Sequence, residues 1–267
     1  MSPARDDQRR GFGVAAGLDP EVATPLASRC AELGYASMWS NDHPAASGLE
    51  TLRDFAAGSS EVELGVGVLA LDRNPPAEIN AKIEECGLDR SRLWIGVGAG
   101  FSKKPLTKMR ESLDELRETI PGVRLVLAAM GPKMCALAGS AYDGAFFNWM
   151  TPEFAAGARA RVEDGAREAG RETPPIFGYV RTAVGADAET RLAKEEGFYR
   201  DLHDGYRNHF ERLGEPPGTV GVQSEREEEI SPALERYEPL DTIVVRGLAS
   251  AKLDAMDRVA TAAAPAR

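Results

Sequence analysis

The chain has 267 residues, 43% of them hydrophobic and 28% charged, which is enough to bury the core of one large α/β domain. Its formal net charge of −10 argues against a nucleic-acid partner, because phosphate backbones select basic protein faces. It has a polar beginning and no apolar run of about 18 residues, so we expect no signal peptide, no membrane partner and a cytoplasmic protein. Residues 1–10 are expected to be flexible, ahead of one domain over residues 11–262.

Short apolar runs alternate with helical patterns along the whole chain. Runs of this kind, bounded by turn residues, are typical of strands buried on both faces of a parallel sheet. The predicted strands cover residues 11–16, 37–41, 63–71, 93–98, 124–130, 144–149, 176–184 and 242–247. Eight strand–helix units in series predict right-handed crossovers and a parallel sheet that is either closed or open.

Proline and glycine mark where the predicted helices begin and end. Asp19 and Pro20 supply an N-cap and a first helical residue, and Gly34 ends that helix. Prolines 75, 132 and 152 start the helices after the third, fifth and sixth strands. An open dinucleotide-binding sheet would carry Gly-x-Gly-x-x-Gly after its first strand, whereas residues 16–20 read Ala-Gly-Leu-Asp-Pro. The sequence therefore favours an α/β fold of the (β/α)8 TIM-barrel type.

The connection between the seventh and eighth strands, residues 185–241, is much longer than the others. Residues 186–213 predict one long helix with Phe198, Leu202, Tyr206 and Phe210 on one face. Residues 224–237 predict a second, acidic helix. This helical excursion either caps the site, supports a dimer or is a packed decoration.

Three cysteines, Cys30, Cys86 and Cys135, have no metal-ligand spacing and each falls in a helical pattern. We expect them to be buried and reduced.

In a barrel, reacting groups come from the C-terminal ends of the strands. Residues 39–44, Trp-Ser-Asn-Asp-His-Pro, place Asn41, Asp42 and His43 at the end of the second strand. Imidazole can exchange a proton near neutral pH, and a neighbouring carboxylate can fix its tautomer. The alternative is that Asp42 caps a turn and His43 is a surface loop residue.

Two glycine-containing turns follow the fourth and fifth strands. Gly131, Pro132 and Lys133 begin a helix directly after a strand, which leaves backbone N–H groups for an anion, although Gly-Pro is also simply a good helix start. The alternating glycines up to Gly98 and Gly100 indicate either the close approach of a flat ligand or backbone segment, or tight packing of the strand against a helix.

Two further strand endings carry polar groups. Asn148 beside Trp149 pairs an amide with a large ring that would face a ring-shaped ligand. Arg181 and Arg246 lie inside apolar strands and need partners, either an anionic ligand or a structural carboxylate. The candidate carboxylates are those of Asp42, Asp72 and Asp143.

Common hydrolase signatures are missing from the sequence. Without Gly-x-Ser-x-Gly or His-Glu-x-x-His, serine hydrolase and metalloenzyme chemistry is disfavoured and no metal is expected. Asp42 and Asp72 leave a retaining glycosidase open, although aromatic residues for sugar stacking are sparse.

Residues 37–150 resemble the luciferase-like (bacterial luciferase superfamily) flavin and deazaflavin oxidoreductases, especially the branch that uses coenzyme F420. The resemblance rests on the motif at 39–44, on Gly-Val-Gly-Val-Leu-Ala-Leu-Asp-Arg at 65–73 with the helix start at 75–79, and on Leu-Trp-Ile-Gly-Val-Gly-Ala-Gly at 93–100. It continues with Ala-Ala-Met-Gly-Pro at 128–132, Leu-Ala-Gly at 137–139, Tyr-Asp-Gly at 142–144, Asn148-Trp149 and Tyr-Val-Arg at 179–181.

The resemblance implies a barrel with F420 lying across the strand ends, a small-molecule substrate and a homodimer. His43 would act as proton donor or stabilise the reduced ring, with Asp42 beside it, and Leu69 and Ala70 would bend the third strand behind the ring. The Gly131 helix start would hold the phosphate. The residues implied to bind the cofactor are Asn41, Leu69, Ala70, Gly98, Gly100, Met130, Gly131, Pro132, Lys133, Asn148, Trp149 and Arg181.

The chain also departs from the family pattern, since its first strand–helix turn is short and its fourth helical region looks abbreviated. Part of the usual substrate wall is therefore expected to be absent. Two alternative functions stay open, an FMN-dependent monooxygenase that uses dioxygen and a cofactor-free barrel that acts as a binding protein.

Overall fold

Residues 8–266, the part of the chain that the computed structural model describes, form nine strands and ten α-helices. The strands are β1 (Arg9–Val14), β2 (Ser37–Ser40), β3 (Glu63–Ala70), β4 (Leu93–Gly98), β5 (Arg124–Ala128), β6 (Gly144–Asn148), β7 (Ile176–Val184), β8 (Val222–Ser224) and β9 (Thr242–Gly247). The helices are α1 (Pro20–Glu32), α2 (Gly48–Gly58), α3 (Pro76–Glu85), α4 (Pro105–Thr119), α5 (Pro132–Ala141), α6 (Pro152–Glu168), α7 (Ala188–Leu202), α8 (Asp204–Leu213), α9 (Ile230–Glu235) and α10 (Leu253–Ala262).

The strands form one parallel sheet in the order β6-β5-β4-β3-β2-β1-β9-β7, which pairing of β6 with β7 closes into a barrel of eight strands. The short β8 pairs with β7 outside this closed ring. The predicted (β/α)8 TIM barrel is confirmed. Among residues 8–266 we found no helix that is long and apolar enough to cross a bilayer.

The eight predicted barrel strands are all present, and three of them, β4, β7 and β9, have the predicted bounds. β2, β3, β5 and β6 end one or two residues earlier than predicted. β1 begins at Arg9, so the last two residues of the supposed flexible segment belong to the barrel, because they continue the ladder opposite Thr242 and Ile243 of β9. Residues 1–7 of that segment lie outside the described residues.

The predicted helix starts are largely confirmed. The side chains of Asp19 and Thr151 accept hydrogen bonds from backbone N–H groups in the first turns of α1 and α6. α3 begins one residue later than predicted, at Pro76. The three cysteines are buried and free, also as predicted. The fourth helical region is not abbreviated, since α4 has 15 residues.

The excursion contains neither the single long helix predicted for residues 186–213 nor an acidic helix over all of residues 224–237. His203 adopts an extended backbone and its Nδ1 accepts a hydrogen bond from the Gly205 N–H, so the long helix divides into α7 and α8. Phe198 and Leu202 are therefore 60% and 42% exposed, whereas Phe210 on α8 is buried. The acidic helix covers only α9, because Pro232 lacks an N–H donor and is accommodated only in a first helical turn.

The barrel interior is packed with aromatic side chains. The rings of Trp39 and Phe146 lie 4.8 Å apart, and those of Trp94 and Phe177 are equally close. These residues form one buried cluster together with Val126, Tyr179 and Val244. The barrel is therefore a filled core rather than a pore, and a ligand must bind above this layer, at the C-terminal ends of the strands.

Candidate active site

Half of the barrel mouth, along β1 to β5, has a floor of small residues. Gly67 and Val68 of β3 and Ala128 of β5 are only partly buried, and Ala15 after β1 is exposed. A Cβ atom on Gly67 would lie 3.0 Å from the Phe146 ring and 3.2 Å from the Tyr179 hydroxyl. The floor thus rests directly on the aromatic layer, and its small side chains leave room for a flat ligand above it.

The shape of this floor comes from a bend in β3. The register between β3 and β4 shifts between Val66 and Leu69, where the Gly67–Val68 peptide is cis. A Cβ atom on Gly96 would lie 2.3 Å from the Val66 carbonyl oxygen, and one on Gly98 would lie 3.2 Å from the Val68 side chain. The glycines of β4 therefore accommodate the backbone of the β3 segment, which is one of the alternatives that the sequence left open. The bend lies two residues before the predicted Leu69 and Ala70.

Gly100 has a local role in the loop after β4. It adopts φ +59°, and the Asp72 carboxylate accepts a hydrogen bond from the Phe101 N–H at 2.9 Å. A Cβ atom on Gly100 would collide with that carboxylate. The turn itself therefore requires glycine at this position.

At the end of β2, two of the three predicted polar residues connect neighbouring loops. The Asn41 Oδ1 atom accepts a hydrogen bond from the Ala16 N–H at 2.8 Å. Asp42 accepts one from the Gly48 N–H at 3.0 Å and forms an ion pair with Arg73 at 3.6 Å. These contacts fix the start of α2 and the loop after β3. Asp42 is accordingly a positioning residue, and the expected contact with the His43 imidazole is not formed.

His43 is held by its own loop. Its backbone pairs with Ala46, and its Nδ1 atom accepts a hydrogen bond from the Ala45 N–H at 3.2 Å. Because Nδ1 is an acceptor, the neutral ring carries its proton on Nε2. The half-buried ring lines a cleft of about 560 Å³ between this loop and α3. Leu69 of β3 and Lys82 of α3 line the same cleft. The arrangement leaves Nε2–H as a donor for a bound molecule.

The start of α5 is open to solvent. Gly131 is the N-cap residue and makes no side-chain cap, Pro132 and Lys133 are exposed, and a Cβ atom on Gly131 would meet nothing within 4 Å. Met130 is half-buried and packs against the outer core. Backbone N–H groups at such a helix start favour an anion.

The other half of the mouth is walled by β6, β7 and the excursion. Arg181 donates a short hydrogen bond to the Asn148 Oδ1 atom, and the Asn148 Nδ2 atom donates to the Tyr206 hydroxyl at 3.1 Å. Tyr199 of α7 lies beside them, 5.0 Å from the Arg181 guanidinium. α7 and α8 therefore contribute side chains to the mouth. Neither Tyr199 nor Tyr206 was predicted from the sequence to be a site residue. The signal that could have indicated them is their spacing of seven residues, which places both on one face of a helical pattern.

Trp149, which the sequence predicted to face a ring-shaped ligand, has a buried side chain. Its backbone has φ +53° and its side chain is buried in the cluster beneath the excursion, with Phe210 5.5 Å away. Arg181 covers its ring at 4.0 Å. The Trp149 carbonyl group is held by the His209 Nε2 atom at 2.6 Å, so this residue fastens α8 to the end of β6.

Neither strand arginine meets a structural carboxylate. Among residues 8–266, Arg181 and Arg246 form no ion pair, although both are buried. The three candidate carboxylates are engaged elsewhere, those of Asp42 and Asp72 as described above, and that of Asp143 with Arg117 and the Leu125 N–H.

The stability of the excursion is expected to fall in mild acid. Burial lowers the pKa of His209 below its ordinary value of 6.5 and Arg212 lowers it further, while the hydrogen bond to the Trp149 carbonyl opposes both effects. Between the lowered pKa of the folded state and about pH 6.5 the unfolded chain binds more protons at this residue, so stability falls as the pH decreases, by at most about 1.4 kcal/mol per unit. Denaturant unfolding followed by tryptophan fluorescence between pH 5.5 and 7.5 measures this loss.

The His209→Gln variant is the matched comparison, because its amide keeps a donor near the Trp149 carbonyl but does not titrate. We expect a shallower pH dependence for it than for the wild type. An equal loss of stability in both proteins would contradict the role of His209.

Comparison with known proteins provides independent information. A protein-family model described as luciferase-like monooxygenase matches residues 111–266, more than half of the chain. The chain is 25% identical over 212 residues to the 5,10-methylenetetrahydromethanopterin reductase of Methanolobus tindarius, and this match covers 66% of the chain and 65% of that protein. The chain therefore matches slightly less than two thirds of the length of this relative.

Two solved structures illustrate the structural similarity. An F420-dependent secondary alcohol dehydrogenase in complex with an F420-acetone adduct superimposes with a TM-score of 0.70 and 17% identity, over 96% of this chain and 99% of that one. The second is the oxygenating constituent of 3,6-diketocamphane monooxygenase of Pseudomonas putida, in complex with FMN. It superimposes with a TM-score of 0.64 and 14% identity, over 97% of this chain and 98% of that one. At these identities the likeness establishes the fold.

Proposed function

Because the chain belongs to the luciferase-like monooxygenase family, we propose that it is an oxidoreductase that transfers a hydride between coenzyme F420 and a small organic substrate. The observation that carries the proposal is the floor of small residues at Gly67, Val68 and Ala128, beside a wall that supplies amide and guanidinium groups. A flat tricyclic ring fits such a surface, because larger side chains would fill it. When bound, F420 would supply the hydride donor or acceptor.

The residues of the mouth divide into three roles in this proposal. The floor and Asn148 would hold the ring, with Met130, Leu69 and Ala70 around it. The α5 start at Gly131, Pro132 and Lys133 would hold the phosphate through backbone N–H groups and one positive charge. His43 would exchange a proton with the substrate through Nε2.

An FMN-dependent monooxygenase is the second candidate. It is favoured by the fold similarity to an FMN-bound monooxygenase and by the fact that the same floor suits either ring. The F420 reaction is preferred because the resemblance of residues 37–150 is greatest to the F420 branch. The homodimer implied by that resemblance remains part of the proposal.

The test is a fluorescence titration of the purified chain with F420 and with FMN in parallel. We expect saturable binding of F420 and weaker binding of FMN. The Ala128→Phe variant should lower F420 affinity by about 100-fold, because the ring of phenylalanine would occupy the floor, as expected for the loss of a well-packed ligand contact surface. The exposed Ala57→Phe on α2 is the matched control and should bind normally.

Tighter binding of FMN than of F420 would favour the monooxygenase. Binding of neither, or equal binding by the Ala128→Phe variant, would contradict the proposed seat.

A further inference from the structure

Two arginines lie side by side in the wall of the barrel mouth. Arg181 of β7 and Arg246 of β9 are direct partners in the register of these adjacent strands, so both side chains point to the same face of the sheet. Arg181 is 2% exposed and Arg246 8%. Both therefore lie inside the mouth rather than on the outer surface.

The hydrogen-bonding capacity of this pair is largely unused. Arg181 donates to Asn148 and stacks on Trp149, but its buried Nε atom has no partner within residues 8–266. Arg246 donates only to the carbonyl group of its neighbour Gly247, at 3.1 Å. Each guanidinium carries five N–H donors, and the described residues show a hydrogen bond from one nitrogen of each.

The electrostatic environment offers no carboxylate within ion-pair distance of either arginine among the described residues. Burial lowers the pKa of Arg246, the charge of Arg181 lowers it further, and Glu195 of α7 opposes both effects. Glu195 acts from beyond ion-pair distance, since no ion pair to either arginine occurs among the described residues. Burying two like charges without a partner is costly, and an anion placed between them would relieve that cost.

A third unused group lies beneath them. The Tyr179 hydroxyl is buried and has no hydrogen-bond partner in the described part of the chain. Its ring lies 5.5 Å from the Arg181 guanidinium, and its hydroxyl lies below Gly67 of the floor. The Tyr179 ring and the Arg181 guanidinium are thus neighbours, and each side chain has a buried polar atom without a partner in the described residues.

The arginine pair borders the open half of the mouth. The neighbour of Arg246 on β1 is Gly13, where the Tyr179 ring occupies the space that a Cβ atom would take, and Ala15 beyond it is exposed. The pair is also separated from the α5 start, where the cofactor phosphate is proposed to bind, because β6 and β7 lie between β5 and β9. An anion here would belong to a second molecule.

We infer that Arg181, Arg246 and Tyr179 bind an anionic group, a carboxylate or a phosphate, of the substrate. That the bound molecule is a substrate rests on the proposed function. The anion site itself rests only on the arginine and tyrosine groups that have no partner among the described residues. The substrate class is accordingly a small organic acid or phosphate ester whose reacting carbon lies over the floor while its anion contacts the arginines. Paired guanidinium groups suit either anion, since both accept forked hydrogen bonds.

The experiment measures binding of inorganic phosphate and of acetate to the purified chain by tryptophan fluorescence, at constant ionic strength maintained with chloride. Trp149 is a built-in reporter because Arg181 stacks on it. We expect saturable binding to the wild type, at least 10-fold weaker binding to Arg246→Met, and intermediate binding to Arg246→Lys. The exposed Arg161→Met controls for the change in net charge and should bind within about twofold of the wild type, as is usual for surface charges.

Two further measurements guard the interpretation. Thermal unfolding of Arg246→Met should occur at the same or a higher temperature, because removing an unpaired buried charge relieves its desolvation. Glu195→Gln should bind the anions at least as tightly as the wild type. If Glu195→Gln lost binding as Arg246→Met does, the arginine would be a structural partner of Glu195 and the inference would be overturned.

A parallel F420 titration separates this inference from the proposed function. Arg246→Met should bind F420 within about threefold of the wild type while losing the anion. An equal loss of both would assign the anion to the cofactor and overturn the substrate subsite. Wild-type binding of F420 without saturable anion binding would also overturn it. Anion binding that depends on Arg246, without any F420 binding, would uphold the anion site and contradict the proposed function.

Discussion

Replacement of His43 by alanine is expected to lower turnover with reduced F420 by 10²- to 10⁴-fold, the usual contribution of a positioned proton donor. The cause is the loss of the Nε2–H group, which the Ala45 N–H bond to Nδ1 keeps available for a bound molecule. Affinity for F420 should remain within a few-fold, because the floor and the α5 start are untouched. Single-turnover kinetics together with a binding titration separate the two quantities.

A second variant of the same residue provides a further readout. His43→Gln keeps a side-chain N–H donor but cannot exchange a proton as imidazole does, so it should also lose turnover while F420 affinity stays within a few-fold. His203→Asn is a matched control, since asparagine preserves the N-cap of α8. Unchanged turnover of His43→Ala would remove His43 from the proton-transfer step.

The second large effect concerns the contact between α5 and α6. A Cβ atom on Gly165 would lie 2.1 Å from the Ala136 carbonyl oxygen, and one on Gly139 would lie 2.0 Å from that of Val162. Both obstacles are backbone atoms of the facing helix, so they cannot rotate away. Gly165→Ala must separate the helices and is expected to lower the free energy of unfolding by about 3 kcal/mol.

A matched control lies on the same helix. Gly157 of α6 is exposed, and a Cβ atom there would meet nothing within 4 Å. Gly157→Ala should raise the free energy of unfolding by about 0.5–1 kcal/mol, because alanine has the higher helix propensity. Urea denaturation of both variants measures the difference. Equal stabilities would mean that the helices can separate without cost.

The order of the barrel elements could be predicted from the sequence because its signals are local. Each strand is a continuous apolar run that must be buried on both faces, and each helix start carries its own proline or capping side chain, as at Asp19 and Thr151. The excursion was predicted less well. The predicted long helix is interrupted at His203 by an extended backbone, and the periodicity of the sequence does not predict that interruption.

The candidate site was predicted in part for the same reason. Strand ends are known once the strands are known, so His43, Gly131 and Asn148 could be assigned to the C-terminal ends of β2, β5 and β6. The partners of these residues could not be assigned. Asp42 adjoins His43 in sequence but binds the start of α2, and Trp149 adjoins Asn148 but is turned beneath the excursion.

The sequence by itself determined a closed parallel barrel and a set of polar residues at its strand ends, because burial of apolar runs and the chemistry of helix starts act over a few neighbouring residues. Only the tertiary structure decided which of those residues meet. Arg181 and Arg246 are far apart in the chain, and the pairing of β7 with β9 brings them together. The absence of a carboxylate beside them, within residues 8–266, is likewise a property of packing, since every candidate partner was available in the sequence and was bound elsewhere by contacts between distant segments.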